Sequence, residues 1–198
     1  MPAEQDISLL FNLINSFVPL TQQDKEHLIP HLSYRNVKKG DYWLAEGEKE
    51  QQVGFILEGS MRHFYLHDGE EKTTYFYFQN NLVSSYFSAL TGTPSKLSIQ
   101  AMSNCRLISF PYKMLVLMYE LSPKWERFGR KLAEYLVIGL EERMVELLVL
   151  SPEERYNRLF NSNKKKILER MPQHLIANYL GITPVSLSRI RKRAGTKK

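Results

Sequence analysis

Apolar residues recur at helical spacing at both ends of the chain and alternate with polar ones in its middle. Ile7, Leu9, Leu10, Leu13, Ile14 and Phe17 follow the 3.6-residue period and predict an N-terminal helix that Pro19 stops. Thr21 is placed to N-cap a second short helix, ended by Pro30. Between Val37 and Phe110 the grammar changes to short β-branched and aromatic runs: Tyr42–Ala45, Val53–Leu57, Arg62–Leu66, Thr73–Phe78, Leu97–Ala101 and Leu107–Phe110. Gly-Asp, Glu-Gly, Asp-Gly and Asn-Asn pairs punctuate them, which predicts an antiparallel barrel or double-sheet roll. Ser84–Pro94 breaks that rhythm and reads as a helical excursion with a loop.

Lys124 to Leu150 then predicts one helix of roughly 40 Å at ~1.5 Å per residue. Phe128, Leu132, Leu136, Leu140, Met144 and Leu148 form an i, i+4 stripe, and Ala133, Val137, Ile138, Val145, Leu147 and Val149 widen it beyond one face. A helix apolar on more than one face must bury against two things. Its own β-domain is one, and a second copy of the same helix is the economical other. A helix wholly buried in a large monomer is the competing reading, but the chain has too little else to wrap it. The six stripe residues are therefore the expected dimer interface.

Ser151-Pro152-Glu153-Glu154 marks a new start: a capping hydroxyl, a proline suited to the first helical position, and acids at the positive helix end. The expected organisation is a β-roll sensor domain over 1–122, the long helix over 123–150 and a helical unit over 151–198. In that unit a helix spans 152–162, Asn161-Ser162-Asn163 breaks it, and a short one covers Lys164–Met171. Pro172–Leu180 is a further helix, Gly181 supplies a tight turn, Thr183 caps the last helix and Pro184 opens it. Small Ala177 suits a close crossing, and Leu187 and Ile190 point inward. Such a helix-turn-helix places its second helix in the DNA major groove. Arg189 can then reach guanine bidentately, and Ser186 and Ser188 can meet base edges or phosphates. Arg191, Lys192, Arg193, Lys197 and Lys198 suit phosphates, which give affinity without sequence information. An ordinary helical hairpin with a basic surface is the bland alternative.

Charge supports this division. Residues 1–151 hold 15 Lys and Arg against 18 Asp and Glu, a net of −3, whereas residues 152–198 hold 12 against 3, a net of +9. A basic quarter on a mildly acidic body points to a polyanion partner for that quarter. At 43% hydrophobic and 24% charged, the chain can bury a core. No apolar run suits a bilayer; the best, Leu132 to Leu150, is interrupted by Glu134, Glu141, Glu142, Arg143 and Glu146. The acidic start MPAEQDISLL lacks a basic n-region, so a cytoplasmic protein with no membrane partner is expected. The one cysteine, Cys105, cannot form an internal disulfide, supply an iron–sulfur cluster or build a zinc site.

The phrases KKGDYWLAEGE, FILEGSMRHFY and DGEEKT resemble the sensor roll of the cAMP receptor protein/FNR (Crp/Fnr) family of bacterial transcription regulators. The long helix resembles that family's dimer helix, and IANYLGITPVSLSRIRK its DNA-reading pair. EGSMRHFY and LGITPVSLSRIR look most like members from Bacteroidetes-type bacteria. The resemblance implies an α+β chain: an antiparallel, jelly-roll, cyclic-nucleotide-binding-like sensor domain, a dimerisation helix and an all-α helix-turn-helix domain with little or no wing. It implies a homodimer on a two-fold symmetric DNA operator, with RNA polymerase as a further partner and an effector in the roll. Thr183, Pro184, Val185, Ser186, Ser188 and Arg189 fall where the family contacts DNA. The family's best-known reader has Arg and Glu where Pro184 and Val185 stand, so a different operator is expected, with Val185 suited to a thymine methyl group.

The sensor site departs from the family. Its cyclic-nucleotide binders hold ribose with a Gly-Glu pair and phosphate with an Arg-Ser or Arg-Thr pair. Here Ser84-Ser85 stand near the first place and Pro94-Ser95-Lys96 near the second. Lys96 offers a point charge rather than a bidentate fork. Binding of cAMP is therefore not expected, and no cofactor is evident. Arg62, Ser84, Ser85, Tyr86, Ser95 and Lys96 remain candidates to line a pocket for another small molecule, with Glu141 of the long helix closing it; a filled, silent pocket is the alternative. A barrel metalloenzyme is disfavoured: His63 and His67 share a strand face but lie roughly 13 Å apart at ~3.3 Å per residue, and neither a nucleophile motif nor a phosphate loop occurs. A ligand-binding or protein-interaction module with an incidental basic tail is the remaining rival to a non-enzymatic DNA-binding regulator.

Overall fold

A computed structural model describes residues 1–195. Helix α1 (Glu4–Phe17) buries Ile7, Leu10, Phe11 and Ile14, the period read from the sequence. In α2 (Gln22–Glu26) the Thr21 hydroxyl accepts from Asp24 N–H while the Asp24 carboxylate accepts from Thr21 N–H, a reciprocal cap. The roll comprises β1 (Ser33–Val37), β2 (Tyr42–Leu44), β3 (Gln52–Glu58), β4 (Ser60–His67), β5 (Glu70–Phe78), β6 (Leu82–Val83), helix α3 (Tyr86–Thr91), β7 (Ser98–Ala101) and β8 (Cys105–Pro111). Two antiparallel sheets result, ordered β1-β8-β3-β6 and β2-β7-β4-β5. Trp43, Ile56, Met61, Val83, Ile99 and Leu107 fill the space between them. At Gly54 a Cβ would lie 2.7 Å from Cγ1 of Val83, its partner on β6, and 2.8 Å from the Trp43 ring of the facing sheet.

All six expected strand runs lie in these sheets. Two strands and one helix come in addition. Strand β1 buries only Val37 among its five residues, so it carries no apolar signal. Strand β6 is two residues long. Helix α4 (Tyr112–Leu121) follows β8 without a polar break, where an apolar run does not distinguish helix from strand.

Helix α5 (Pro123–Val149) is the long helix. Its first turns are built into the chain's own core. Trp125 Nε1 donates to Asp24 O at 2.7 Å, and Phe128 meets Phe17 edge-on at 5.7 Å between centroids. This corrects one expectation: Phe128 is 2% exposed and is spent against α1, leaving no surface for a second copy. Leu132 is partly buried against the same core. Beyond it the apolar side chains stand in solvent, with Val137 at 61%, Leu140 at 69% and Leu148 at 78% exposure.

After Ser151, whose hydroxyl and the Glu154 carboxylate form a second reciprocal cap, come α6 (Pro152–Phe160), α7 (Lys166–Arg170), α8 (Gln173–Leu180) and α9 (Pro184–Gly195). Tyr156, Leu159, Ile167, Met171, Leu175, Ile176, Leu180, Leu187 and Ile190 form their common core, which continues into Phe76 and Phe78 of β5. The helical unit thus rests on the outer face of the roll.

Candidate functional site

The turn between α8 and α9 follows from three residues. Gly181 has φ +67° and closes α8 in the left-handed conformation. Ile182 N–H donates to Ala177 O at 3.0 Å. Thr183 Oγ1 accepts from Ser186 N–H at 3.1 Å, capping α9. Leu187 and Ile190, 0% and 3% exposed, seat α9 on α8. Opposite them Val185, Ser188, Arg189 and Lys192 are exposed at i, i+3, i+4 and i+7, a single stripe along one helix face. Thr183 and Pro184 are exposed at its start, and Arg191 is half-buried at its side. Some of these candidates are engaged within the chain. The Ser186 hydroxyl lies 3.0 Å from Thr183 Oγ1, and Arg193 pairs with Glu153 of α6 at 3.3 Å. Lys197 and Lys198 lie outside the described residues.

Helix α8 is held from two sides. The Asn178 carboxamide accepts from Thr73 N–H at 2.6 Å and donates to Glu71 O at 2.6 Å, both on β5. From the other side Arg143 of α5 donates to Tyr179 O and lays its guanidinium over the Tyr179 ring at 3.9 Å. Neither contact was legible in the sequence, because Asn178 reads as an ordinary polar position of an amphipathic helix.

In the roll, the structure brings together Ser85 and Ser95, the two residues standing near the ribose and phosphate places. Their hydroxyl oxygens are 3.0 Å apart, and each residue is 2% exposed. Ser95 Oγ also donates to Leu97 O at 2.9 Å. Ser84 Oγ is buried nearby with no partner. The other candidates do not join them. Arg62 is buried in an ion pair with Glu71 at 2.5 Å, donates to Gln100 Oε1 and stacks over Phe64. Tyr86, Lys96 and Glu141 are exposed. No hydrogen bond or ion pair among the described residues links Glu141 to the serines.

Sequence reading missed the group behind this pair. Glu50, 7% exposed, accepts from Trp43 Nε1 at 3.0 Å, Ser85 N–H at 3.2 Å, Gln51 N–H at 3.0 Å and Gln52 N–H at 2.9 Å. Burial pushes its pKa up against the pull of these donors. Within the run EGEKEQQ it has the pattern of an exposed turn acid. His63 faces the roll interior with Nδ1 2.5 Å from Thr74 Oγ1 and its ring edge-on to Tyr65 and Tyr77. Burial lowers its pKa to about 4. Among the described residues no group of three His, Cys, Asp or Glu side chains could hold a metal ion, and no helix is long and apolar enough to cross a membrane.

Comparison with known proteins agrees with this geometry. Residues 34–120 match the family described as cyclic nucleotide-binding domain. The transcriptional activator protein Anr of Pseudomonas protegens is 24% identical over 175 residues, covering 80% of this chain and 69% of that protein. Among solved structures, FixK2 from Bradyrhizobium japonicum superposes with TM-score 0.71 at 18% identity, covering 84% of this chain and 85% of that one. The catabolite activator protein of Thermus thermophilus gives TM-score 0.56 at 21% identity, covering 91% and 86%. The order of roll, long helix and terminal helices is that of these regulators.

Proposed function

The chain belongs with the Crp/Fnr regulators and carries their cyclic nucleotide-binding domain, and from that premise we propose that it is a homodimeric, sequence-specific DNA-binding transcription regulator rather than an enzyme. The observation that carries the reading is the exposed stripe Val185, Ser188, Arg189 and Lys192 on a helix anchored by Leu187 and Ile190. A rigid helix that presents a short hydroxyl, a guanidinium and a methyl-bearing side chain on one face suits the major groove. Arg189 is the base reader, Ser188 and Val185 add contacts, and Arg191, Lys192 and Arg193 meet phosphates. Pairing of two α5 helices through Leu132, Leu136, Leu140, Met144 and Leu148 supplies the two-fold axis and hence a palindromic operator. The division into sensor (1–122), dimer helix (123–150) and DNA-reading unit (151–198) belongs to the same reading. So do RNA polymerase as a further partner, action in the cytoplasm, and control by a small effector other than cAMP.

The test is selection of a preferred duplex from a random pool, followed by fluorescence anisotropy across a salt series. Log affinity should fall linearly with log salt, with a slope of about −0.9 per phosphate contact. Arg189→Ala should cost about 1–3 kcal/mol on the selected duplex and relax preference at one position. Equal loss on every duplex would remove Arg189 as a base reader. Absence of any preferred duplex, with ligand or partner binding retained after deletion of 152–198, would return the chain to an interaction module.

A further inference from the structure

Where α5 hands over to α6, the chain encloses a cavity of about 160 Å³. None of the exposed stripe on α9 lines it, and neither does the serine pair of the roll. Its wall carries Arg143, Arg155, Arg158 and Lys164 against Glu142 and Glu146, a formal excess of two positive charges. Internal partners satisfy only part of that wall. Glu146 is shared between Arg143 Nη1 at 3.0 Å and Arg158 Nε at 3.2 Å. Arg155 Nη1 donates to Leu150 O at 2.8 Å, so it caps the end of α5. Arg143 Nε and Arg155 Nε are left buried without an acceptor. Lys164 makes no ion pair among the described residues.

Two costs meet in this cavity: guanidinium N–H groups of Arg143 and Arg155 taken from water without a partner, and a surplus of positive charge gathered around one space. An apolar occupant relieves neither. Water relieves the first and leaves the second. A small oxyanion relieves both, because its unprotonated oxygens accept from N–H groups and its charge opposes the excess. The space is ample for one tetrahedral group.

We propose that this cavity is a binding site for a small phosphate-bearing anion, either inorganic phosphate or the phosphoryl end of a metabolite. Arg143, Arg155, Arg158 and Lys164 contact it. The wall joins Glu142, Arg143 and Glu146, in the C-terminal part of α5, to Tyr179 and Leu180 at the end of α8. An occupant therefore fixes the angle between the long helix and the first helix of the DNA-reading pair. The site stands on the cavity and its charges and does not depend on the DNA-binding reading.

The experiment is thermal melting of the full chain in phosphate and in chloride at matched ionic strength, with a parallel series in a phosphomonoester, glycerol 3-phosphate. Wild type should show a saturable rise in Tm with phosphate that chloride does not give. Lys164→Gln and Arg158→Gln, each at a solvent-facing rim position, should weaken that response at least tenfold. Arg189→Gln, on the α9 stripe, should leave it intact. A tighter response to the ester than to free phosphate assigns the metabolite source, and the reverse order assigns the free anion. The proposal fails if phosphate and chloride act alike or if both rim variants respond as wild type. It fails equally if Arg189→Gln abolishes the response, which would place the anion on the DNA-facing surface.

Discussion

Asn178 and Thr73 lie 105 residues apart in sequence and are joined by a 2.6 Å hydrogen bond from the Thr73 backbone N–H to the Asn178 carboxamide oxygen. The same carboxamide donates to Glu71 O at 2.6 Å, so the side chain pairs with the edge of β5 as a neighbouring strand would. Thr73 is 4% exposed, so loss of its partner leaves a buried N–H unpaired. Asn178→Ala should therefore destabilise the fold by about 2 kcal/mol, the cost of leaving buried backbone groups unpaired. Urea denaturation measures it. A change below about 0.5 kcal/mol would mean that the helical unit is not latched to the roll in solution.

The exposed apolar half of α5 sets the second expectation. Leu140, 69% exposed in a single chain, should be covered by its counterpart in the dimer. Leu140→Glu should convert dimer to monomer in sedimentation velocity and leave the circular dichroism of the chain unchanged, because nothing within the chain depends on that side chain. A persistent dimer would move the interface elsewhere.

Closure of the Ser85–Ser95 pair, with hydroxyl oxygens 3.0 Å apart, leaves neither a carboxylate for a ribose nor a guanidinium for a cyclic phosphate at those positions. Addition of cAMP should leave Tm unmoved. A saturable shift would show that the pair opens. In the same assay Ser95→Arg should lower Tm, since a long charged side chain would enter a position that is 2% exposed.

Acid sensitivity should trace to His63. Its pKa falls from the usual 6.5 to about 4 because the ring is buried. Between those values the unfolded chain binds a proton that the folded chain does not, so stability rises with pH across this window. Stability is accordingly lost as pH drops from about 6.5 toward 4, by up to roughly 3–4 kcal/mol at ~1.36 kcal/mol per unit. His63→Gln should flatten the pH dependence of urea midpoints over that interval. An unchanged slope would assign acid sensitivity to the carboxylates.

Much of this architecture is written locally in the chain. Thr21 with Asp24, and Ser151 with Glu154, announce helix starts because capping needs residues three apart. Gly181 announces the turn because its left-handed φ favours glycine, and Thr183 because it caps the helix that follows. Buried polar pairing is not local. Glu50 reads as a surface acid until Ser85 and Trp43 are folded over it. Arg62 reads as a free cation until β5 brings Glu71 beside it. Phe128 shows the limit of periodicity. A stripe at i, i+4 tells which side chains share a face, but not where along the helix the chain's own core ends and a partner's begins. Of the sensor candidates, Tyr86 and Lys96 adjoin Ser85 and Ser95 in the chain but are exposed, and Glu141 had only an inferred fold to place it near them.

The pairing of β1 with β8 has a consequence for how the protein is made. Ser33 meets Ser109, 76 residues later in the chain. At synthesis rates of ~5–20 residues per second, β1 waits about 4–15 seconds on the ribosome before its partner exists. Its composition suits that delay: of Ser33, Tyr34, Arg35, Asn36 and Val37 only the last is buried in the finished sheet, so the waiting segment offers little apolar edge to a neighbouring nascent chain.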